Sequence, residues 1–145
     1  ISFDEMDAVL NRESGVLGVS GLSADMRDVL AAADAGNEHA RLAIDMYVYR
    51  VQKAIGGFYA AMTRTDAVVM TAGIGENSAE LRELIFEGLA HMGMLLDRER
   101  NHVVGQIGVN RIISIDDSPI KICVVTTDEE MRIARETDNL VSQLG

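Results

Sequence analysis

The sequence predicts a helix-rich α/β fold in which helices pack on a small sheet. Three observations carry that expectation. Apolar residues recur at spacings of three and four through several long segments, the period of an amphipathic helix. Ala67–Thr71, Arg111–Ile115 and Ile120–Val125 are instead short β-branched or apolar runs bounded by turn residues, as strands are. The elements also alternate in type, with helices first, then a strand, a helix, two strands and a last helix, which is the order of a sheet covered by helices.

Taken in order, Ser2 is placed to cap a helix through about Leu10, with Phe3, Met6, Val9 and Leu10 on one face. Ser14–Gly21 (SGVLGVSG) is punctuated by glycine and is expected to break regular structure. Ser23 reads as the N-cap of a helix to about Asp34, with Asp25 in its first turn and Gly36 at its stop. Asn37 caps the longest helix, whose stripe is Ile44, Val48, Val51, Ile55, Phe58 and Met62. The Gly56-Gly57 pair inside it costs roughly 1 kcal/mol per residue against alanine, so close packing is expected there. Its Tyr and Met residues are expected in the core.

Ala67–Thr71 reads as a short strand buried on both faces. A helix follows with Ser78 as N-cap and Leu81, Leu84, Ile85 and Leu89 as its inner stripe. Arg111–Ile115 and Ile120–Val125 are joined by the turn Asp116-Asp117-Ser118-Pro119. The last helix starts near Thr127 and holds Met131, Ile133, Ala134 and Leu140, with Asp128, Glu129 and Glu130 at its positive end.

The 145 residues are one domain's worth of sequence, enough to bury a core. Thirteen Lys plus Arg against 23 Asp plus Glu give a net charge of −10, which speaks against a nucleic-acid surface, since that needs clustered cations. A nucleotide can still be held by backbone amides, single arginines and a divalent ion. The apolar runs fall short of the ~18–20 residues that cross a bilayer, and the amino end has no signal-peptide pattern, so a cytoplasmic location is expected. Ile1 in place of an initiator methionine fits a piece of a longer polypeptide. Cys123 lies in an apolar run and reads as a small buried hydrophobe. His39, His91 and His102 have no zinc-ligand spacing.

Val68–Ser78 (VVMTAGIGENS) is the most informative stretch: a β-branched run, a glycine pair and a helix start. Gly73 and Gly75 lack a Cβ, so they can take positive φ and let another group approach the main chain. The helix start adds unpaired N–H groups and partial positive charge. Alone the motif is weak, because Ser78 stands where a dinucleotide fingerprint needs its third glycine and no phosphate loop occurs. A strand-to-helix turn that needs small residues for packing is the competing reading.

Two further segments change that balance. Gly15–Val29 (GVLGVSGLSADMRDV), Val69–Ser78 (VMTAGIGENS) and Thr126–Thr137 (TTDEEMRIARET) together resemble the carboxy-terminal motifs of the acetate kinase family, in that family's order. The resemblance covers nearly the whole chain, and the closely related propionate kinases share the pattern. It implies a partial RNase H-like nucleotide-binding domain of the actin and sugar-kinase superfamily, spanning residues 1–145. The implied reaction moves the terminal phosphoryl group of ATP to acetate, with Mg²⁺, giving acetyl phosphate and ADP. The implied assembly is a homodimer.

By the same resemblance, Asp25, Met26 and Arg27 line the adenosine side of the nucleotide. An Asp can accept ribose hydroxyls, and an Arg can stack on a base or neutralise a phosphate. Against this, Asp25 could merely complement a helix dipole and Arg27 pair with Asp28 or solvent. Gly73, Ile74, Gly75, Glu76 and Asn77 match the second adenosine-binding segment, with Ile74 as an apolar contact and Asn77 as donor and acceptor. Ala72 stands where the family often has glycine, and Ala24 where it commonly has serine. Glu129 matches a Mg²⁺ ligand, although Asp128 or Glu130 can supply the same charge to the helix end. The family's catalytic Asp, Arg and His have no counterpart in this chain, so no catalytic residue is assigned and the chain alone is expected to be inactive. The three motifs are expected to converge on one pocket. The rival classes are a dimerisation or interaction module that keeps the fold, and a regulatory phosphate or nucleotide sensor.

Overall fold

The computed structural model describes residues 1–103 and 110–144, the side chains of Glu129 and Leu144 excepted. The chain divides into two compact units, Ile1–Phe58 and Tyr59–Gly145.

In the first unit, α1 (Phe3–Arg12) begins with the expected Ser2 cap. The Glu5 amide donates to Ser2 Oγ at 3.2 Å and the Ser2 amide to Glu5 Oε2 at 2.6 Å, a reciprocal capping box. Its apolar face is exposed, since no residue of α1 is buried. The Ser14–Gly21 stretch differs from expectation: Gly15–Ser20 forms a short helix, α2, closed by a Gly21 N–H bond to the Leu17 carbonyl. Half-buried Val16, Leu17 and Val19 supply packing that overrides the weak propensity of the glycines.

The cap of α3 (Met26–Asp34) is Asp25, not Ser23. Ser23 lies two residues earlier, where its hydroxyl accepts from the Asp25 amide at 3.0 Å and donates to Asp28 at 2.8 Å. Gly36 turns the chain out of α3 at φ +91°, a left-handed conformation that costs a glycine nothing. Asn37 Oδ1 then accepts from the Ala40 amide at 3.0 Å and starts α4 (Glu38–Ala61) as expected. Met26, Val29 and Ala33 of α3 are buried, as are Ala40, Ala43, Ile44 and Val48 of α4.

The later part of the α4 stripe departs from expectation. Val51 and Ile55 are half-buried, and Phe58 is exposed. A side chain at Gly56 or Gly57 would meet nothing within 4 Å, so the expected close packing is not seen. Met46 and Tyr49 are exposed rather than in the core, and Tyr49 receives the Lys53 ammonium 5.3 Å from its ring centre.

The second unit holds a three-stranded sheet in the order β1 (Ala67–Met70), β3 (Lys121–Val124), β2 (Arg111–Ile112). β1 runs parallel to β3, pairing Ala67 with Lys121 and Met70 with Val124, while β2 runs antiparallel, pairing Arg111 with Val124. The two later strands thus pair across the expected turn. β1 is not buried on both faces: it is an edge strand whose residues alternate exposed and half-buried, Val69 being 53% exposed. The buried strand is the central one, through Ile122 and Val124. Cys123 between them is half-buried.

After β1 come α5 (Ala72–Asn77), α6 (Ala79–Glu87), a single 3₁₀ turn at Ala90–Met92, and α7 (Arg98–His102). Ser78 caps α6 as expected, its hydroxyl accepting from the Leu81 amide at 3.3 Å. Leu81, Ile85, Phe86 and Leu89 are buried together with Met94, Ile113 and Ile120, forming the core of this unit. α8 (Glu129–Leu144) follows β3. Asp128 Oδ1 accepts from the Met131 amide at 2.9 Å and so caps it. Met131, Ile133 and Leu140 of this helix are exposed. Among the described residues, no helix is long and apolar enough to cross a membrane.

Candidate functional site

The second motif segment lies directly beyond the carboxyl end of β1. There the chain does not make an open glycine turn but enters α5 at once, with Thr71 as its N-cap residue. The residue at positive φ is Ala72, at +59°, and neither Gly73 nor Gly75 has one. An L-residue in the left-handed region costs roughly 1–2 kcal/mol, so the strain of the turn sits on Ala72. The two glycines serve other ends. A Cβ on Gly75 would lie 3.1 Å from the carbonyl carbon of Met70, so its absence lets α5 close onto the end of the strand. A Cβ on Gly73 would meet nothing within 4 Å, which leaves its main chain open to another group. Ile74 is half-buried, and Asn77 Nδ2 donates back to the Gly73 carbonyl at 2.9 Å.

Glu76 joins this segment to the third. Its Oε1 accepts from the Thr127 amide at 3.0 Å and from the Thr127 hydroxyl at 2.9 Å. The carboxyl pKa is lowered, first by the Thr127 amide and also by its hydroxyl, the Ala72 amide and the Thr71 hydroxyl. The glycine segment and the chain entering α8 are therefore bonded to each other 51 residues apart in sequence. Glu129 is the first residue of α8, two positions after Thr127, and its side chain lies outside the described set.

Beneath α5 sits Arg82, 2% exposed, a residue the sequence reading passed over. Its Nη1 donates to the carbonyls of Gly75 at 2.9 Å and Glu76 at 3.0 Å. Its Nε donates to Asn101 Oδ1 at 2.7 Å and its Nη2 to the Asn101 carbonyl at 3.0 Å. Asn101, itself buried, donates from Nδ2 to the Ala79 carbonyl at 2.9 Å. One guanidinium thus satisfies last-turn carbonyls of α5 and α7, where a cation is favoured by both helix dipoles. Burial lowers its pKa from 12.5 to about 10, with a smaller push from Arg111. The signal for it was present in the sequence: Arg82 stands three and four residues before Ile85 and Phe86, on the inner face of α6.

The first motif segment belongs to the other compact unit. Asp25 Oδ1 accepts from the Arg27 amide at 2.9 Å and Nε at 3.0 Å, and Oδ2 accepts from Nη2 at 2.5 Å. These bonds, the side-chain ones first, lower the Asp25 pKa to about 2. The Arg27 side chain stays 89% exposed, so its planar face is fixed in direction and open to solvent. Met26 between them is buried. Residues 25–27 and residues 73–77 are thus each in order within their own unit.

Among the described residues, no group of three or more His, Cys, Asp or Glu side chains could hold a metal by itself. Asp128 is engaged as the cap of α8, so Glu129 need not serve that purpose.

The Acetokinase family model matches residues 1–135. An acetate kinase from Clostridium botulinum (strain Loch Maree / Type A3) is 48% identical over 143 residues, 99% of this chain and 35% of that protein. Among solved structures, Porphyromonas gingivalis acetate kinase superimposes with a TM-score of 0.84 at 39% identity, over 97% of this chain and 35% of its own. A propionate kinase from Francisella tularensis subsp. tularensis SCHU S4 gives a TM-score of 0.82 at 36% identity, over 94% of this chain and 34% of its own. The α/β fold with helices and a small mixed sheet is the one these kinases share, as the sequence led us to expect. The chain spans about 35% of the length of the curated relatives it matches.

Proposed function

Because the chain belongs to the Acetokinase family, we propose that it is the carboxy-terminal nucleotide-binding part of an acetate kinase. The whole enzyme would transfer the terminal phosphoryl group of ATP to acetate and release acetyl phosphate and ADP. The observation that carries this reading is the Glu76–Thr127 pair of hydrogen bonds, which joins two of the three family-like segments. A domain kept only as a dimerisation or interaction surface has no need to hold a strained, glycine-bearing turn against the start of α8.

In this reading Arg27, oriented by Asp25, lays its guanidinium plane against the adenine, and Asp25 accepts a ribose hydroxyl on a remaining lone pair. Met26 contributes through its backbone, its side chain being buried. Gly73 lets the nucleotide approach the main chain, Gly75 keeps α5 closed on Met70 behind it, Ile74 gives an apolar contact, Glu76 belongs to the same segment, and Asn77 offers its amide oxygen. Glu129 would hold Mg²⁺ bound to the phosphates, and the ion would neutralise charge on them. Each segment would contribute its own contacts to the nucleotide. Acid binding and the transition-state Asp, Arg and His would come from outside these 145 residues. The enzyme is cytoplasmic and works as a homodimer. A second reading, propionate in place of acetate, is favoured by the likeness to the Francisella propionate kinase.

Calorimetric titration with Mg-ADP tests the proposal. Saturable binding is expected, weakened by Arg27→Ala and by Asn77→Ala. Absence of binding to a folded chain, or wild-type affinity in both variants, would overturn it.

A further inference from the structure

We propose that Glu76 is a positioning residue that holds the strained turn at Ala72 and ties the glycine segment to the chain entering α8, without touching the nucleotide. The proposal rests on the nucleotide reading above and assigns Glu76 a different task within it.

The φ of Ala72, +59°, is a conformation that alanine does not adopt for its own sake, so something must hold it. In a helix, side chains tilt toward the amino end, so a residue at position i covers the backbone at i−4. Glu76 stands four residues after Ala72 in α5, and its carboxylate therefore lies over the entrance of its own helix. There the Ala72 amide and the Thr71 hydroxyl both favour its charged form. Thr71 itself makes no side-chain capping bond, so the charge that favours this helix entrance is that of Glu76, four residues on.

The other half of the argument is Thr127. Both its amide and its hydroxyl donate to Glu76 Oε1, so one oxygen fixes backbone and side chain of a residue 51 positions away. The Thr126 amide is held as well, by Asn110 Oδ1 at 3.2 Å, so the approach to α8 is fixed at two successive residues. Glu76 Oε1 already takes both donors of Thr127, so that oxygen is committed to holding the approach to α8. A like charge beside phosphates would also repel them. Glu76 therefore acts through Ala72 and Thr127 and sets where Gly73 and the first turn of α8 stand.

The test uses Glu76→Ala, Ala72→Gly and the double variant in the full chain, with two readouts. Amide hydrogen exchange over residues 71–77 and at Thr127 reads the clamp without any ligand, and Mg-ADP titration reads its consequence. Glu76→Ala is expected to speed exchange at 72–77 and at Thr127, and to weaken Mg-ADP roughly tenfold, as when the binding form of the turn falls to about a tenth of its population. Glycine at 72 needs no holding, so the double variant is expected to regain protection at 72–77 and most of the affinity. The Thr127 amide, having lost its acceptor, should stay fast. Exchange unchanged in Glu76→Ala would overturn the proposal. So would an affinity loss that Ala72→Gly leaves unrescued, which would mark Glu76 as a direct contact. If the wild-type chain bound no Mg-ADP, the nucleotide reading would fall, and the exchange pattern would still decide the clamp.

Discussion

Replacing Arg82 by methionine keeps most of the side-chain volume and removes the guanidinium that joins α5, α6 and α7. Four hydrogen bonds from one charged donor are lost, to Gly75, Glu76 and twice to Asn101. At ~1.5 kcal/mol each, the low end for bonds to a charged group, they are worth about 6 kcal/mol. Burial opposes them: lowering the pKa from 12.5 to about 10 corresponds to about 3 kcal/mol against the charged form, at ~1.4 kcal/mol per tenfold. The bonds win, and Arg82→Met should cost roughly 3 kcal/mol, which is about 6–12 °C in Tm for a chain of this size. Urea unfolding followed by circular dichroism measures it, as a lower midpoint at unchanged slope. Arg82→Lys keeps the charge but cannot reach all four acceptors as the fixed fork does, so it should fall between wild type and Met. A methionine variant within ~0.5 kcal/mol of wild type, the range of an ordinary surface change, would refute the reasoning. A lysine variant as stable as wild type would refute the part that depends on the fork.

Further outcomes follow from the same contacts. The Asp25 carboxyl should titrate near pH 2 by carbon NMR, and Arg27→Ala should return it toward its ordinary value near 3.8. Because the folded pKa is the depressed one, whatever this pair adds to stability is present above about pH 4 and is lost as pH falls toward 2. Gly75→Ala would push a methyl to 3.1 Å from the Met70 carbonyl carbon and should destabilise the chain by ~1–3 kcal/mol in thermal unfolding, whereas Gly73→Ala should stay within ~0.5 kcal/mol. The purified chain should form no hydroxamate from acetate, ATP and hydroxylamine, since it carries no counterpart of the family's transition-state residues. With β1 presenting an edge and Phe3, Phe58 and Ile133 each more than 60% exposed, sedimentation should show concentration-dependent association rather than a compact monomer.

Much of the local structure was legible because it is set by neighbours in sequence. The Ser2, Asn37 and Ser78 caps, the Leu81–Leu89 stripe and the hairpin-like pairing of β2 with β3 all depend on residues a few positions apart. What failed depended on partners elsewhere. Periodicity marks which face of α1, α4 or α8 is apolar but not whether anything covers it, and Phe3, Phe58 and Ile133 are exposed. Likewise β1 is apolar throughout, which suggests burial on both faces, yet it sits at the edge of the sheet because β3 takes the centre. The glycine pair announced special backbone, but the strain fell one residue earlier, on Ala72, once α5 had to close against Met70.

The candidate site shows the same division more sharply. Of the five residues read as an adenosine-binding run, Gly75 is taken up by its approach to Met70 and Glu76 by Thr127, while the Asn77 amide nitrogen bonds the Gly73 carbonyl. What the run offers a ligand is the open main chain at Gly73, the half-buried Ile74 and the amide oxygen of Asn77. A motif compresses two kinds of residue into one string: those that face the nucleotide and those that hold the former in place. Spacing cannot separate them, since both must be invariant in type for the loop to work. Hydrogen-bond saturation can, and it moves Glu76 from the first kind to the second and adds Arg82, which no motif contained.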